Sequence, residues 1–195
     1  MRPVLLPLLL AATLPAQDTT PASALQRVQQ LFSSQNAVTW VQTPTNPPRP
    51  ADATHVTASL TDVQIDPAAC TLTFKDGRNF PDQKYEAIQT WKINLKDIDR
   101  IQVDSLEAFV ERSRSEGGQP RWDTKTSPAV YVLQMVAAPG RKFNVHRWSR
   151  NSNNEIIERD LNQPLAFVVF ASESGARESA TAMQKAKDLC KQPAQ

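Results

Sequence analysis

Hydrophobic and polar residues alternate with a period of two through much of the chain after His55. This pattern predicts β-strands that bury one face. The alternating segments are residues 56–61, 70–75, 91–95, 101–103, 130–136 and 143–147. The near-continuous apolar run at residues 165–170 predicts a further strand that is covered on both faces. Because long helices do not alternate with these strands, the pattern favours an antiparallel sheet or barrel.

Turn signals separate several of these segments. Asp76-Gly77 predicts a turn after the strand that begins at Cys70, and Pro139-Gly140 predicts a turn between two later strands. The polar residues 151–155 predict a loop.

Helical spacing is found before and after the strands. Thr20-Pro21 predicts a helix start, and apolar residues at three- and four-residue spacing extend the helix to about Ser34. A short strand is predicted at residues 37–41. Residues 43–52 hold four prolines and predict an extended connector, because proline removes a backbone donor and fixes φ.

Two more helices follow from capping signals. Asp104 and Glu107 resemble a capping box that starts a short helix, which Gly117-Gly118 would end. Ser172 or Ser174 can cap a C-terminal helix. Its apolar stripe consists of Ala176, Ala180, Met183, Ala186 and Cys190.

The two cysteines, Cys70 and Cys190, both fall on predicted inner faces. In an oxidising compartment such a pair favours a disulfide, with two buried free thiols as the alternative. A metal site is not expected, because His55 and His146 are the only histidines and zinc requires three or four ligands.

The N-terminus predicts export. Arg2 precedes an apolar stretch at residues 4–14, which is too short to span a membrane but typical of a secretory signal peptide cut after Ala16. An uncleaved anchor or a buried helix is the alternative. The mature protein is expected to be secreted or periplasmic, with no transmembrane segment. The chain then divides into a signal peptide (1–16), an N-terminal helix with its connector (17–54) and a main domain (55–195).

The order of elements resembles that of pleckstrin-homology-like (PH-like) domains. The resemblance lies in AIQTWKINLKDIDRIQV, VYVLQMVAAPGRKFNVH and LAFVVFASESGARESATAMQKAKDLC, and it covers about residues 56–190. It implies an α+β fold: a strongly bent antiparallel barrel with the C-terminal helix packed on it, here with an extra N-terminal helix.

Many PH-like domains bind phosphoinositides through basic residues of the first hairpin. The nearest equivalents here are Lys75, Arg78 and Lys84, and Asp76 and Asp82 interrupt them. An exported protein would also not meet the lipids of the cytoplasmic leaflet. Lipid headgroup binding is therefore not expected.

Composition narrows the possible functions. The 22 basic and 20 acidic residues give a net charge of +2, which does not favour nucleic acid as a partner. The five glycines form no phosphate-binding loop and no G-x-S-x-G elbow. No catalytic motif and no cofactor are predicted.

One cluster stands out as a candidate site for an anion or a partner. It consists of Arg141, Lys142, His146, Arg147 and Trp148, which lie on or beside one predicted hairpin. The alternative is an ordinary hairpin with exposed charges.

The leading functional hypothesis is a non-catalytic module that binds a protein or peptide, either at an exposed strand edge or in a groove beside the C-terminal helix. The alternative is a carrier that holds a small apolar ligand inside the barrel, against Phe143, Val145 and Phe167. An enzyme ranks third.

Overall fold

A computed structural model describes residues 19–44, 53–115, 122–125 and 129–192. The helices in these ranges are α1 (Pro21–Ser33), α2 (Leu106–Ser115) and α3 (Glu173–Lys191). The strands are β1 (Val38–Pro44), β2 (Thr54–Asp66), β3 (Thr71–Phe80), β4 (Tyr85–Asn94), β5 (Ile98–Ser105), β6 (Trp122–Lys125), β7 (Tyr131–Ala137), β8 (Phe143–Arg150), β9 (Ile156–Gln163) and β10 (Leu165–Phe170). The expected α+β class is confirmed. The predicted signal peptide and most of the proline-rich connector lie outside the described residues.

The strands form two antiparallel sheets. The long sheet has seven strands in the order β6-β1-β2-β3-β4-β8-β9, and the short sheet has three in the order β10-β7-β5. Within the described residues the strands do not close into the expected barrel. After β4 a 3₁₀ turn at Leu95–Asp97 takes the chain into the short sheet. Pro164 alone separates β9 from β10, and it interrupts the ladder because it lacks an N–H.

One prediction about β-structure was wrong, and one strand was not predicted. Asp76 and Gly77 do not form a turn but lie inside β3, which pairs with β2 and β4 along its length. A Cβ at Gly77 would lie 3.0 Å from the Ser59 Oγ, so this glycine allows two strands to approach closely. The strand β9 was not predicted, because most of its side chains are exposed and no apolar alternation marks it.

Helix α1 begins as predicted. The Thr20 side chain accepts a hydrogen bond from the Ser23 N–H at 3.1 Å, and the Ser23 hydroxyl completes a capping box. Its buried face packs into the main core, where the Phe32 ring lies edge-on to the rings of Phe74 (5.7 Å) and Phe170 (6.2 Å). The helix is thus part of the same core as the sheets.

Helix α3 packs beside α1 and against β5 and β7 of the short sheet. Ser172 is its cap and accepts a hydrogen bond from the Gly175 N–H at 3.2 Å. Ala176, Met183 and Ala186 are fully buried. The predicted disulfide is confirmed: Cys190 is bonded to Cys70, 120 positions earlier. The bond ties the end of α3 to the turn between β2 and β3.

The buried apolar residues form two clusters. The first core lies between the long sheet, the short sheet and the helices α1 and α3. The second core surrounds α2 and includes Trp40, Val56 and Phe109. On β3, Leu72 and Phe74 belong to the first core, whereas Phe80 packs against the second. The inner face of the long sheet is defined here as the face that carries Leu72 and Phe74.

Candidate functional site

The predicted basic cluster is divided by the alternation of β8. Phe143 and Val145 point into the first core, so Arg147, two residues further, lies on the same inner face. His146 and Trp148 lie on the outer face. The five predicted residues therefore do not form one surface.

Arg141 and Lys142 stand apart from the others. Both are exposed residues between the Pro139-Gly140 turn and the start of β8. The Arg141 Nε lies 3.5 Å from an Asp97 carboxylate oxygen. They are surface charges at the end of the sheet opposite to Arg147.

Each histidine contacts a carboxylate on the surface. The His146 Nδ1 lies 2.9 Å from the Asp160 Oδ1 across the outer face of β8 and β9. The His55 Nδ1 lies 3.0 Å from the Asp82 Oδ2. The backbone N–H of His55 also donates to that oxygen at 2.8 Å. This hydrogen bond and the side-chain hydrogen bond from His55 lower the pKa of Asp82.

Trp148 belongs to a small patch on the outer face. It lies opposite Ile88 across β4 and β8, and the Arg150 guanidinium lies 6.0 Å from its ring centroid. Arg150 is also paired with Glu86 at 2.7 Å. Arg150 thus already has a carboxylate partner.

Arg147 has no carboxylate partner in the described part of the chain. Its Nη2 donates to the Tyr85 hydroxyl at 2.8 Å, and its Nε is buried without an acceptor. A buried donor without an acceptor costs about 1–3 kcal/mol. Its strand partners are Gln89 on β4 and Arg159 on β9.

Arg159 is the second arginine of this inner face. Directly opposite residues of an antiparallel pair lie on the same face, and like charges in that position are destabilising. Arg159 is exposed and, among the described residues, has no ion-pair partner. The inner face at this end of the sheet therefore carries two arginines on neighbouring strands, and no carboxylate of the described residues compensates their charges.

Asp76 is the carboxylate in the same cross-strand row, but it already has a partner. This row crosses five strands, from β2 to β9, and consists of Leu60, Asp76, Gln89, Arg147 and Arg159. Asp76 is buried and accepts hydrogen bonds from its neighbour Arg78 at 2.9 and 3.2 Å.

Burial raises the pKa of Asp76, and the positive charge of Arg78 opposes this shift. The Arg78 guanidinium in turn lies 4.6 Å from the Phe167 ring centroid. The pair is held where the first core meets the second.

The long sheet ends at β9, which pairs with β8 on one side only among the described residues. Its first two residues are the most exposed large apolar residues of the described chain: Ile156 is 59% exposed and Ile157 is 53% exposed. This edge and Arg159 were missed by sequence reasoning, although the run IIERDLNQ already shows two isoleucines beside alternating charges.

A second surface feature is an open groove of about 760 Å³ between α1 and α3. Its lining includes Arg27, Glu178, Lys185 and Leu189, and Arg27 forms an ion pair with Glu178 across it. It begins at Thr19, the first described residue. Of the expected lining of a ligand cavity, Phe143 and Val145 are packed within the first core, and Phe167 packs against the second core.

No helix in the described ranges is long and apolar enough to cross a bilayer. The comparisons with family models, with curated proteins and with solved structures give no match to this chain. The class that the structure defines is an α+β protein with two antiparallel sheets and a C-terminal helix tied by a disulfide. The resemblance to PH-like domains stays a prediction.

Proposed function

We propose that this chain is a non-catalytic binding module that accepts an extended segment of a partner protein at the edge of β9. The observation that carries the proposal is the open edge of β9 with its exposed Ile156 and Ile157. Addition of a strand to such an edge supplies main-chain hydrogen bonds, and the flanking side chains supply specificity.

In the register centred on Arg159, charge disfavours pairing of β9 with a second copy of this chain. If two β9 strands paired antiparallel and centred on Arg159, each Arg159 would face its counterpart and Glu158 would face Asp160. Both contacts bring like charges together, which is unfavourable. A partner of complementary sequence avoids them.

The side chains of β9 define the complementary segment. Ile157, Arg159 and Leu161 lie on the inner face, and Glu158 and Asp160 lie on the outer face. The matching partner carries apolar, acidic and apolar residues on one face, with basic residues between them. The pattern Val-Lys-Glu-Lys-Val meets this requirement in either strand direction.

The proposed site of action is outside the cytoplasm, as a secreted or periplasmic protein. The disulfide Cys70–Cys190 supports this proposal, because such bonds persist in oxidising compartments. The groove beside α3 is a weaker docking surface, since an internal ion pair already crosses it. The carrier hypothesis has no support from the packing of Phe143 and Val145.

The test is an NMR titration of the ¹⁵N-labelled protein with a capped peptide, Thr-Val-Lys-Glu-Lys-Val-Thr. We expect shift changes and slower amide exchange along Ile156–Gln163. Two control peptides carry N-methyl groups on alternate residues, so that one of them blocks the donors that face β9 and the other does not. The peptide whose donors facing β9 are blocked should lose binding, and the other control peptide should keep it. Equal binding of both controls, or shift changes confined to α3, would reject the proposal.

A further inference from the structure

The guanidinium of Arg147 is incompletely partnered in a way that an anion would correct. It has five N–H donors. A donor on Nη2 reaches the neutral Tyr85 hydroxyl, and the Nε donor is buried without an acceptor. The Tyr85 oxygen that accepts this bond still has its own O–H to donate, so the phenol adds a further donor to the same place.

The carboxylates nearest to these groups are occupied or lie on the opposite face. Asp76 is paired with Arg78, Asp160 with His146 and Glu86 with Arg150. Glu158 lies on the outer face, opposite Trp148. Within the described residues, no acidic side chain compensates the charges of Arg147 and Arg159.

We propose that Arg147, Arg159 and Tyr85 form an oxyanion-binding site, and that its ligand is the carboxylate of an acidic side chain in the bound partner strand. The source of the carboxylate rests on the proposed function. One carboxylate oxygen would accept from Arg147 and the other from Arg159, which removes the repulsion between the two arginines. Charged hydrogen bonds of this kind are about twice as strong as neutral ones.

The position of Arg159 explains why the ligand would belong to a β9-bound segment. Arg159 lies on the last strand of the long sheet, with Arg147 on its inward side. A residue that pairs with Arg159 from a strand added to β9 would therefore place its side chain on the same face as both arginines. An acidic residue at that position would lie beside Arg159 and on the same face as Arg147, one strand further in.

The first test compares the peptide above with its Glu→Gln analogue. We expect the glutamine peptide to bind about tenfold more weakly, because a charged hydrogen-bonding partner is lost. Arg159→Gln should abolish most of this discrimination, and Tyr85→Phe should reduce it by about half. Arg150→Gln is the matched control: this arginine lies on the outer face of β8 and should leave the tenfold ratio unchanged. Discrimination that persists in both Arg159→Gln and Arg147→Gln would overturn the proposal.

The second test needs no peptide and so separates this inference from the proposed function. Acetate and inorganic phosphate are titrated while the Nε–Hε resonances of the arginines are followed. Selective shifts at Arg147 and Arg159 with acetate support the site, even if the peptide does not bind. Equal shifts at all arginines would reject it. A response to phosphate at a tenfold lower concentration than to acetate would overturn the carboxylate assignment.

Discussion

The two halves of the long sheet's inner face differ in what they contact. In one half, Phe74, Trp91 and Val145 lie side by side on adjacent strands and are buried in the first core. In the other half, two residues away along each strand, β4 carries Gln89 and β8 carries Arg147. The first core, with α1, α3 and the short sheet, covers the first half, called here the helix-covered half. The second half, called here the polar half, carries polar and charged side chains.

Buried apolar residues and residues of the proposed binding site thus follow one another along the same strands. β8 shows it most directly: Phe143 and Val145 are 1% and 2% exposed, whereas Arg147 has an unused donor. Substitutions in the two halves should therefore have separable effects.

The largest expected effect comes from the helix-covered half. Phe143→Ala should lower the free energy of unfolding by about 3–5 kcal/mol, because it leaves a cavity in the first core. The matched change in the polar half, Arg159→Ala, should alter it by no more than about 0.5 kcal/mol. Urea unfolding followed by tryptophan fluorescence measures both. Comparable losses in the two variants would mean that the halves are not separable.

Removal of the disulfide should come next. Cys70→Ser combined with Cys190→Ser should cost roughly 2–5 kcal/mol, since the bond closes a long loop. The measurement is urea unfolding with and without a reducing agent. The reductant should destabilise the natural protein and leave the double variant unchanged. A natural protein that is insensitive to complete reduction would contradict the stabilising role of the bond.

Two carboxylates should respond to pH in opposite directions. Burial raises the pKa of Asp76 above the value of 3.8, so the stability that this group contributes is present at low pH and declines as pH rises through its folded pKa. Hydrogen bonds from His55 lower the pKa of Asp82 below 3.8, so its contribution is present above that value and is lost as pH falls through its folded pKa.

These signs can be read from ¹³C titrations of the two carboxyl carbons and from unfolding at pH 3 to 7. Relative to Asp76→Asn, the natural protein should lose stability as pH rises. Relative to Asp82→Asn, the natural protein should gain stability as the pH rises from 3. Curves of the same sign for both carboxylates would show that Asp76 is ionised as readily as a surface residue.

The smallest effect concerns the start of the covering helix. Ser172→Ala should cost about 1 kcal/mol, because it removes the acceptor of the Gly175 N–H. Ser174→Ala is the control, since the Ser174 hydroxyl contacts the Ser172 oxygen and not the helix backbone. Thermal unfolding should separate the two variants. Equal losses of stability in the two variants would contradict the capping role of Ser172.

The helix-covered half could be predicted from the sequence, because burial imposes regular apolar spacing. The stripe Ala176, Met183, Ala186 and Cys190 predicted both α3 and the disulfide face. Alternation around Phe74 and Val145 likewise predicted β3 and β8. Only the closure into a barrel failed, because strand order depends on contacts between distant segments that local periodicity does not contain.

The polar half could not be predicted in the same way. Asp76 and Gly77 have turn chemistry, and only the pairing of β3 with two neighbours keeps them in a strand. Arg147 was grouped with His146 and Trp148 by proximity along the chain. The period of two that places Phe143 and Val145 on the inner face also places Arg147 there. It places His146 and Trp148 on the outer face. Arg159 could not be predicted as a site residue, because it is exposed and no apolar alternation marks its strand.

The place of α3 after all described strands has a consequence for biosynthesis. The bond from Cys190 of this helix to Cys70 can form only once the helix has been made. Chains are made from the N-terminus, so α3 emerges after every strand of both sheets has been synthesised. Until then the apolar side chains of β5 and β7 lack the helix that packs on them. The nascent protein therefore passes through an interval in which an apolar surface is exposed to aggregation, and the docking of α3 ends that interval.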